Sequence, residues 1–308
     1  METSAVQPPG PWAYRTIAAN GARFGLAELG AGPLVLLLHG FPTFWWTWRR
    51  QLVTLADAGY RAVAMDLRGY GSSDKTPRGY DPLTLSGDVA GVVRSLGFGE
   101  AVIVGHGWGG LLAWTCAVLQ PKVVDRLVVV SAPHPRRMRA AVAADRRQLA
   151  ASWHVVNYQR PWAPENRLVR DGGAHVEELL RRWAATPGWP DAETAARYRA
   201  AMAVEHVAHC SLEYYRWMVR SLFRPDGQRY ARRMLAPIEA PVLQVHGDAD
   251  PAVLPATADG SGRYVSGPYA WTLLPGVGHF PHEEAPAAFD AAVLGWLGAP
   301  RGESGGPS

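Results

Sequence analysis

Short apolar runs, set apart by longer amphipathic stretches, constrain the fold of this chain more than any other feature. Leu34–Leu38, Ala62–Met65, Ala101–Val104, Leu127–Val130 and Val242–Val245 are leucine-rich or β-branched, and several run straight into Gly or Asp. Strands buried on both faces of a parallel sheet have this character, because neither face needs polar residues. Helical patterns such as Trp46–Ala58, Leu83–Leu96 and Trp108–Leu119 separate most of them. The alternation predicts an α/β fold with a mostly parallel central sheet flanked by helices.

The rhythm stops after Pro133. Residues 136–236 are rich in Arg, Ala and Trp, carry helical periodicity and contain no convincing strand. Breaks fall at Arg160–Pro164, Pro187–Pro190 and Arg224–Gly227, and Pro241 reopens the strand pattern. The economical reading is a core of residues 12–135 and 237–298, interrupted by a helical cap at 136–236 that lies over the strand ends. Residues 1–11 and 299–308, rich in Pro, Gly or Ser, read as disordered tails.

The bulk numbers exclude several function classes. A hydrophobic fraction of 48% with 19% charged residues suits a large packed core, not a disordered chain. The net charge of +4 is almost wholly arginine, since Lys75 and Lys122 are the only lysines. These arginines are dispersed, with Arg136, Arg137 and Arg139 the densest group, so no nucleic-acid partner is expected. Cys116 and Cys210 are too few for a disulfide framework. The first residues lack the basic-then-apolar pattern of a signal peptide, and no apolar run is long enough to span a bilayer. A cytoplasmic protein with no membrane partner is the expectation, as monomer or homodimer.

Strand Ala101–Val104 leads into Gly105-His106-Gly107-Trp108-Gly109-Gly110 and then a helix. Strand, small-x-X-x-small, helix is the pattern of a nucleophile elbow, a strained turn that exposes one side chain at the top of a sheet. Here the exposed position is Gly107, which has none. A phosphate loop also joins strand to helix, but no Gly-Lys-Ser/Thr ending is present. A dinucleotide loop belongs after the first strand with an acid ending the next. Asp125 instead precedes a strand.

Other strand ends supply further groups. His39-Gly40-Phe41-Pro42 closes Leu34–Leu38, and the N–H groups of Phe41 and Trp108 are expected to form an oxyanion hole. Val242–Val245 runs into His246-Gly247-Asp248-Ala249-Asp250, supplying an acid at a strand end, and Trp271–Leu274 is followed by a histidine, His279. Elbow, acid and histidine in this order suit a base oriented by a carboxylate. Asp66–Gly71 follows a strand as well, and reads as a structural turn whose carboxylate and arginine hold neighbouring loops.

Together, His39–Pro42 with Trp45–Arg49, Asp66–Asp74, Val104-Gly105-His106-x-Trp108-Gly109-Gly110, and Gly278–Phe280 with Glu284 and Pro286 resemble the epoxide-hydrolase branch of the α/β-hydrolase superfamily, over about residues 12–298. The resemblance implies an α/β-hydrolase fold with an inserted cap, a small apolar electrophile as partner, and no cofactor or metal. In that family an aspartate between His106 and Trp108 attacks the epoxide, and a histidine–aspartate pair, here His279 and Asp250, hydrolyses the resulting ester. Haloalkane dehalogenases share much of the pattern but usually carry Asn where Phe41 stands. Two cap tyrosines of the family donate to the epoxide oxygen. One maps to Tyr215; the position of the other holds His154, with Tyr158 nearby but out of register. His154, Tyr158 and Trp108 are therefore expected to line the substrate pocket.

Gly107 removes the covalent route, because nothing adjacent replaces an attacking carboxylate. The expectation is a hydrolase in which His279, oriented by Asp250, activates water directly against an epoxide or ester. The alternative is a catalytically inactive binding or regulatory protein using the same lidded pocket. Lyase or cofactor-free oxygenase chemistry, with His279 only moving protons, is a third reading to which no residue specifically points.

Overall fold

The computed structural model describes residues 5–298. Eight strands form one sheet: β1 Ala13–Ala19, β2 Ala22–Leu29, β3 Leu34–Leu38, β4 Arg61–Met65, β5 Ala101–His106, β6 Val124–Val130, β7 Val242–Gly247 and β8 Tyr269–Leu274, in the order β1-β2-β4-β3-β5-β6-β7-β8. From β4 to β8 every neighbouring pair is parallel, whereas β1–β2 and β2–β4 are antiparallel. Strands β3, β5 and β7 are buried along their whole length, which accounts for their unbroken apolar sequences.

Every strand read from the sequence is present. The β1–β2 hairpin is additional, turning at Asn20-Gly21, where both residues have positive φ. The stretch Trp46–Ala58 divides into a 3₁₀ turn, Trp45–Trp48, and the helix Arg49–Asp57. Residues 5–11 are not a disordered tail. Val6 is buried and its carbonyl accepts from Trp45 Nε1 at 2.7 Å, while Tyr14 donates to Pro8 O at 2.5 Å. An indole N–H inside the core needs an acceptor, and this segment supplies it. The expected tail at 299–308 lies outside the described residues.

Between β6 and β7 the described chain is helical, from Pro135–Ala144 to Pro225–Arg233. The long segment Ala163–Trp183 is broken at Arg170–Gly173, where Asp171, Gly172 and Gly173 take positive φ. Residues of this helical region meet the loops at the strand ends: Trp183 and Tyr215 pack on Phe41, Tyr215 on Trp108, and Trp183 on His279. The turn after β4 is structural, as expected. Asp66 accepts from Trp45 N and Ser72 N, and Arg68 holds buried Asp88 through bonds of 2.6 and 2.7 Å.

Candidate active site

Strand β5 ends at a sharp turn, after which the helix Trp108–Leu119 runs back beneath the sheet. The turn works only with small residues. A Cβ on Gly105 would stand 2.1 Å from Gly109 O, one on Gly109 2.2 Å from Leu38 O, and one on Gly110 2.6 Å from Ala132 Cβ. A Cβ on Gly40, in the facing loop, would meet His106 at 2.9 Å. Gly107 differs. Its φ of 53° and ψ of −114° are strained for any L-residue, yet a Cβ there would meet only Gly40 Cα at 3.6 Å and His279 Nε2 at 3.7 Å. The backbone keeps a side-chain position that the sequence leaves empty, and that position faces the histidine.

Asp250 and His279 come together as their sequence order implied. His279 Nδ1 donates to Asp250 Oδ2 at 2.8 Å, leaving the Nε2 lone pair toward Gly107. Asp250 Oδ1 accepts from Ala252 N at 2.8 Å and Val253 N at 3.0 Å. Burial alone raises the Asp250 carboxyl, but the His279 and His246 rings beside it outweigh that and hold it well below the usual carboxylate range. It is therefore an anion at neutral pH. The His279 main chain is fixed too, with its N–H on Trp183 O and its carbonyl accepting from His106 Nε2, both at 2.8 Å. His106 points into the fold, as expected of a residue beside the turn, and burial drives its ring well below the ordinary range.

Gly107 and His279 border a partly open cavity of about 110 Å³. Phe41, Gly107, Trp108, Trp183, Tyr215 and His279 form its inner wall, with Met138, Val155 and Met218 farther along it. Tyr215 stands edge-on to Trp108, ring centroids 5.0 Å apart. His154 also lines the cavity, and its Nδ1 lies 3.0 Å from Ala151 O. A carbonyl only accepts, so Nδ1 carries the proton and Nε2 is left as an acceptor. Burial lowers this histidine to about 4, so it is neutral at pH 7. His154 thus cannot donate as a tyrosine would. Tyr158 corrects an expectation: it is not part of the cavity wall, but sits one ring back, packed on Phe41, His154 and Tyr215.

The N–H of Trp108 opens the helix and so has no carbonyl within it, while Phe41 shares the cavity wall on the β3 loop. Among the described residues, no group of three or more His, Cys, Asp or Glu side chains is arranged to hold a metal.

Three supporting residues had gone unrecognised as such. His246 Nε2 lies 3.3 Å from Asp250 Oδ2 and 2.8 Å from Val253 O. Glu284 accepts from Gly278 N, Phe280 N, Ala185 N and Thr186 N at 2.8–3.1 Å, tying the His279 loop to the turn after Trp183. Ser131, at φ 49°, lines the cavity with a buried hydroxyl that has no partner. Glu284 was visible in the sequence as part of the His279 motif; nothing there marked Ser131.

A family model described as alpha/beta hydrolase fold matches residues 33–286. Epoxide hydrolase 3 of Xenopus tropicalis is 32% identical over 299 residues, covering 94% of this chain and 78% of that protein. Epoxide hydrolase A of Mycobacterium tuberculosis is 29% identical over 312 residues, 92% of this chain and 96% of the other. Among solved structures, epoxide hydrolase A of Mycobacterium thermoresistibile superposes with a TM-score of 0.80 at 28% identity, covering 93% of this chain and 98% of that one. With this sheet order, inserted helical region and set of strand-end residues, the chain belongs to the α/β-hydrolase superfamily, among its epoxide-hydrolase-like proteins.

Proposed function

We propose that this protein hydrolyses a small apolar electrophile, an epoxide or ester, with water activated by His279 and Asp250 and no covalent intermediate. Gly107 occupies the position from which relatives of this type attack. The observation that carries the reading is the base itself: His279 keeps its carboxylate and presents Nε2 to the empty position above Gly107. A water there has its proton acceptor within reach. As its oxygen bonds to an epoxide carbon, the ring C–O bond breaks and Tyr215 is the cavity group able to protonate the departing oxygen. For an ester, the N–H groups of Phe41 and Trp108 are the donors for the oxyanion. Removing a nucleophile while such elements remain leaves an acceleration of about 10³–10⁴ over water in a well-studied hydrolase of another fold.

The predominantly apolar cavity wall also suits a protein that binds without reacting, so the test must separate the two. Purified protein is assayed on a panel of epoxides and esters beside His279→Ala. Turnover that the substitution abolishes supports hydrolysis. A ligand that raises the melting temperature and is recovered unaltered, with no turnover across the panel, supports binding alone and overturns this reading.

A further inference from the structure

The space above Gly107 is shaped for more than water. A carboxylate attached to an L-residue at this position would have its carbon about 2.5 Å from Cα by covalent geometry. A free formate needs about 3.5 Å or slightly more from the same atom, so it fits with an outward shift of about 1 Å. Acetate is larger by a methyl group and must sit farther out. Nothing but Gly40 Cα and His279 Nε2 lies within 4 Å of the missing Cβ, apart from chain neighbours.

The surroundings suit an anion. Gly107 caps the twelve-residue helix Trp108–Leu119, whose first N–H groups and positive dipole end face the turn. Ser131, whose fully buried hydroxyl has no partner among the described residues, is part of the wall of the same cavity. Among the described residues no Asp or Glu is part of the cavity wall, and Asp250 lies on the Nδ1 side of the His279 ring.

We propose that this space binds a small monocarboxylate, formate foremost, which acts as a diffusible nucleophile toward an epoxide in the cavity. The proposal rests on the reading that the cavity admits an epoxide. One carboxylate oxygen bonds to an epoxide carbon as the ring C–O bond breaks. The electron pair goes to the ring oxygen, which takes a proton from Tyr215, itself reprotonated from solvent. The product is a β-hydroxyalkyl ester with no bond to the protein. It either leaves, or meets water activated by His279 at its carbonyl, giving the diol and returning the carboxylate. The empty position makes the chain a carboxylate–epoxide ester synthase whose base can complete a hydrolysis.

The test uses the whole protein with styrene oxide, at constant ionic strength, with sodium formate replacing sodium chloride. The expected result is a saturable rise in epoxide consumption, on the order of tenfold, given the advantage of a bound over a free reactant. With ¹⁸O-labelled formate in unlabelled water, label is expected in the diol or its formate ester. Gly107→Ala, which puts a methyl group where formate sits, is expected to lose the formate dependence. The label measurement on the unaltered protein decides the matter if that variant fails to fold. Turnover independent of formate, with diol oxygen drawn only from water, overturns this proposal and leaves direct hydrolysis standing. Turnover that needs formate and carries its label supports it and removes direct hydrolysis. No turnover in either salt overturns both.

Discussion

Gly107 sits in a backbone conformation that any side chain must be forced into, at φ 53° and ψ −114°. Such strain costs about 1–3 kcal/mol, and glycine relieves it. Gly107→Asp is therefore expected to lower unfolding free energy by about 1–3 kcal/mol in urea titrations, since a Cβ meets no clash there. The same variant is expected to hydrolyse epoxides through an alkyl-enzyme ester, detectable as a mass increase of the intact protein in a single turnover. An active variant with unchanged stability would refute the strain account but not the assignment of the position. His154 carries a second residue-scale prediction. Because its Nδ1 is engaged by Ala151 O, Tyr215 is left as the one cap donor of the pair implied by the resemblance. Adding His154→Tyr to Gly107→Asp is expected to raise kcat/KM for epoxides by about tenfold or more, in keeping with the worth of one oxyanion donor. A rate no better than that of the single variant would show that the second donor is not what limits it.

At the scale of elements, the loop after β8 does not hold His279 unaided; the helical region between β6 and β7 helps to build it. Glu284 gathers two N–H groups of that loop and two of the turn after Trp183, while Trp183 O takes the N–H of His279. Glu284→Gln offers one carbonyl oxygen and an unwanted amide donor to the same four groups. The expected loss is about 1–3 kcal/mol of stability, with kcat for any hydrolysis falling more than KM changes. An unchanged kcat would make Glu284 merely structural. Strands β3 to β7 and the elbow were readable because burial on both faces writes largely apolar runs, and because close backbone approach admits only glycine. The β1–β2 hairpin was not read, since only part of β1 faces the core and its sequence, Ala13-Tyr14-Arg15-Thr16-Ile17-Ala18-Ala19, shows no sustained apolar run. Its signal was the dipeptide Asn20-Gly21, a strong marker of a two-residue hairpin turn. The break at Gly172-Gly173 was similarly plain in residue type and masked by helical periodicity on either side.

Across the whole molecule, contacts between remote segments create a property that no single motif carried. His39, His106, His134, His154 and His282 come from the β3 loop, the end of β5, the β6 loop, the cap and the segment after His279, and burial is the main cause that lowers each. His39 and His154 fall to about 4 and His134 to about 3. The unfolded chain binds protons at these rings near pH 6.5, whereas the folded chain resists until much lower pH. Their stabilising contribution is thus complete above about pH 6.5 and declines as pH falls, by up to about 1.4 kcal/mol per pH unit for each ring. Asp250 acts in a different window. Its depressed carboxyl contributes stability that is present above about pH 4 and is lost only as pH falls from there through its folded value. A domain with about 5–15 kcal/mol in hand can lose most of it to several such rings by about pH 5. Thermal and urea unfolding followed from pH 7.5 to pH 4 should therefore show a steep decline beginning between about pH 6.5 and 5. If stability holds level until about pH 4 and only then collapses, carboxylates such as Asp250 govern acid unfolding and the histidine account fails.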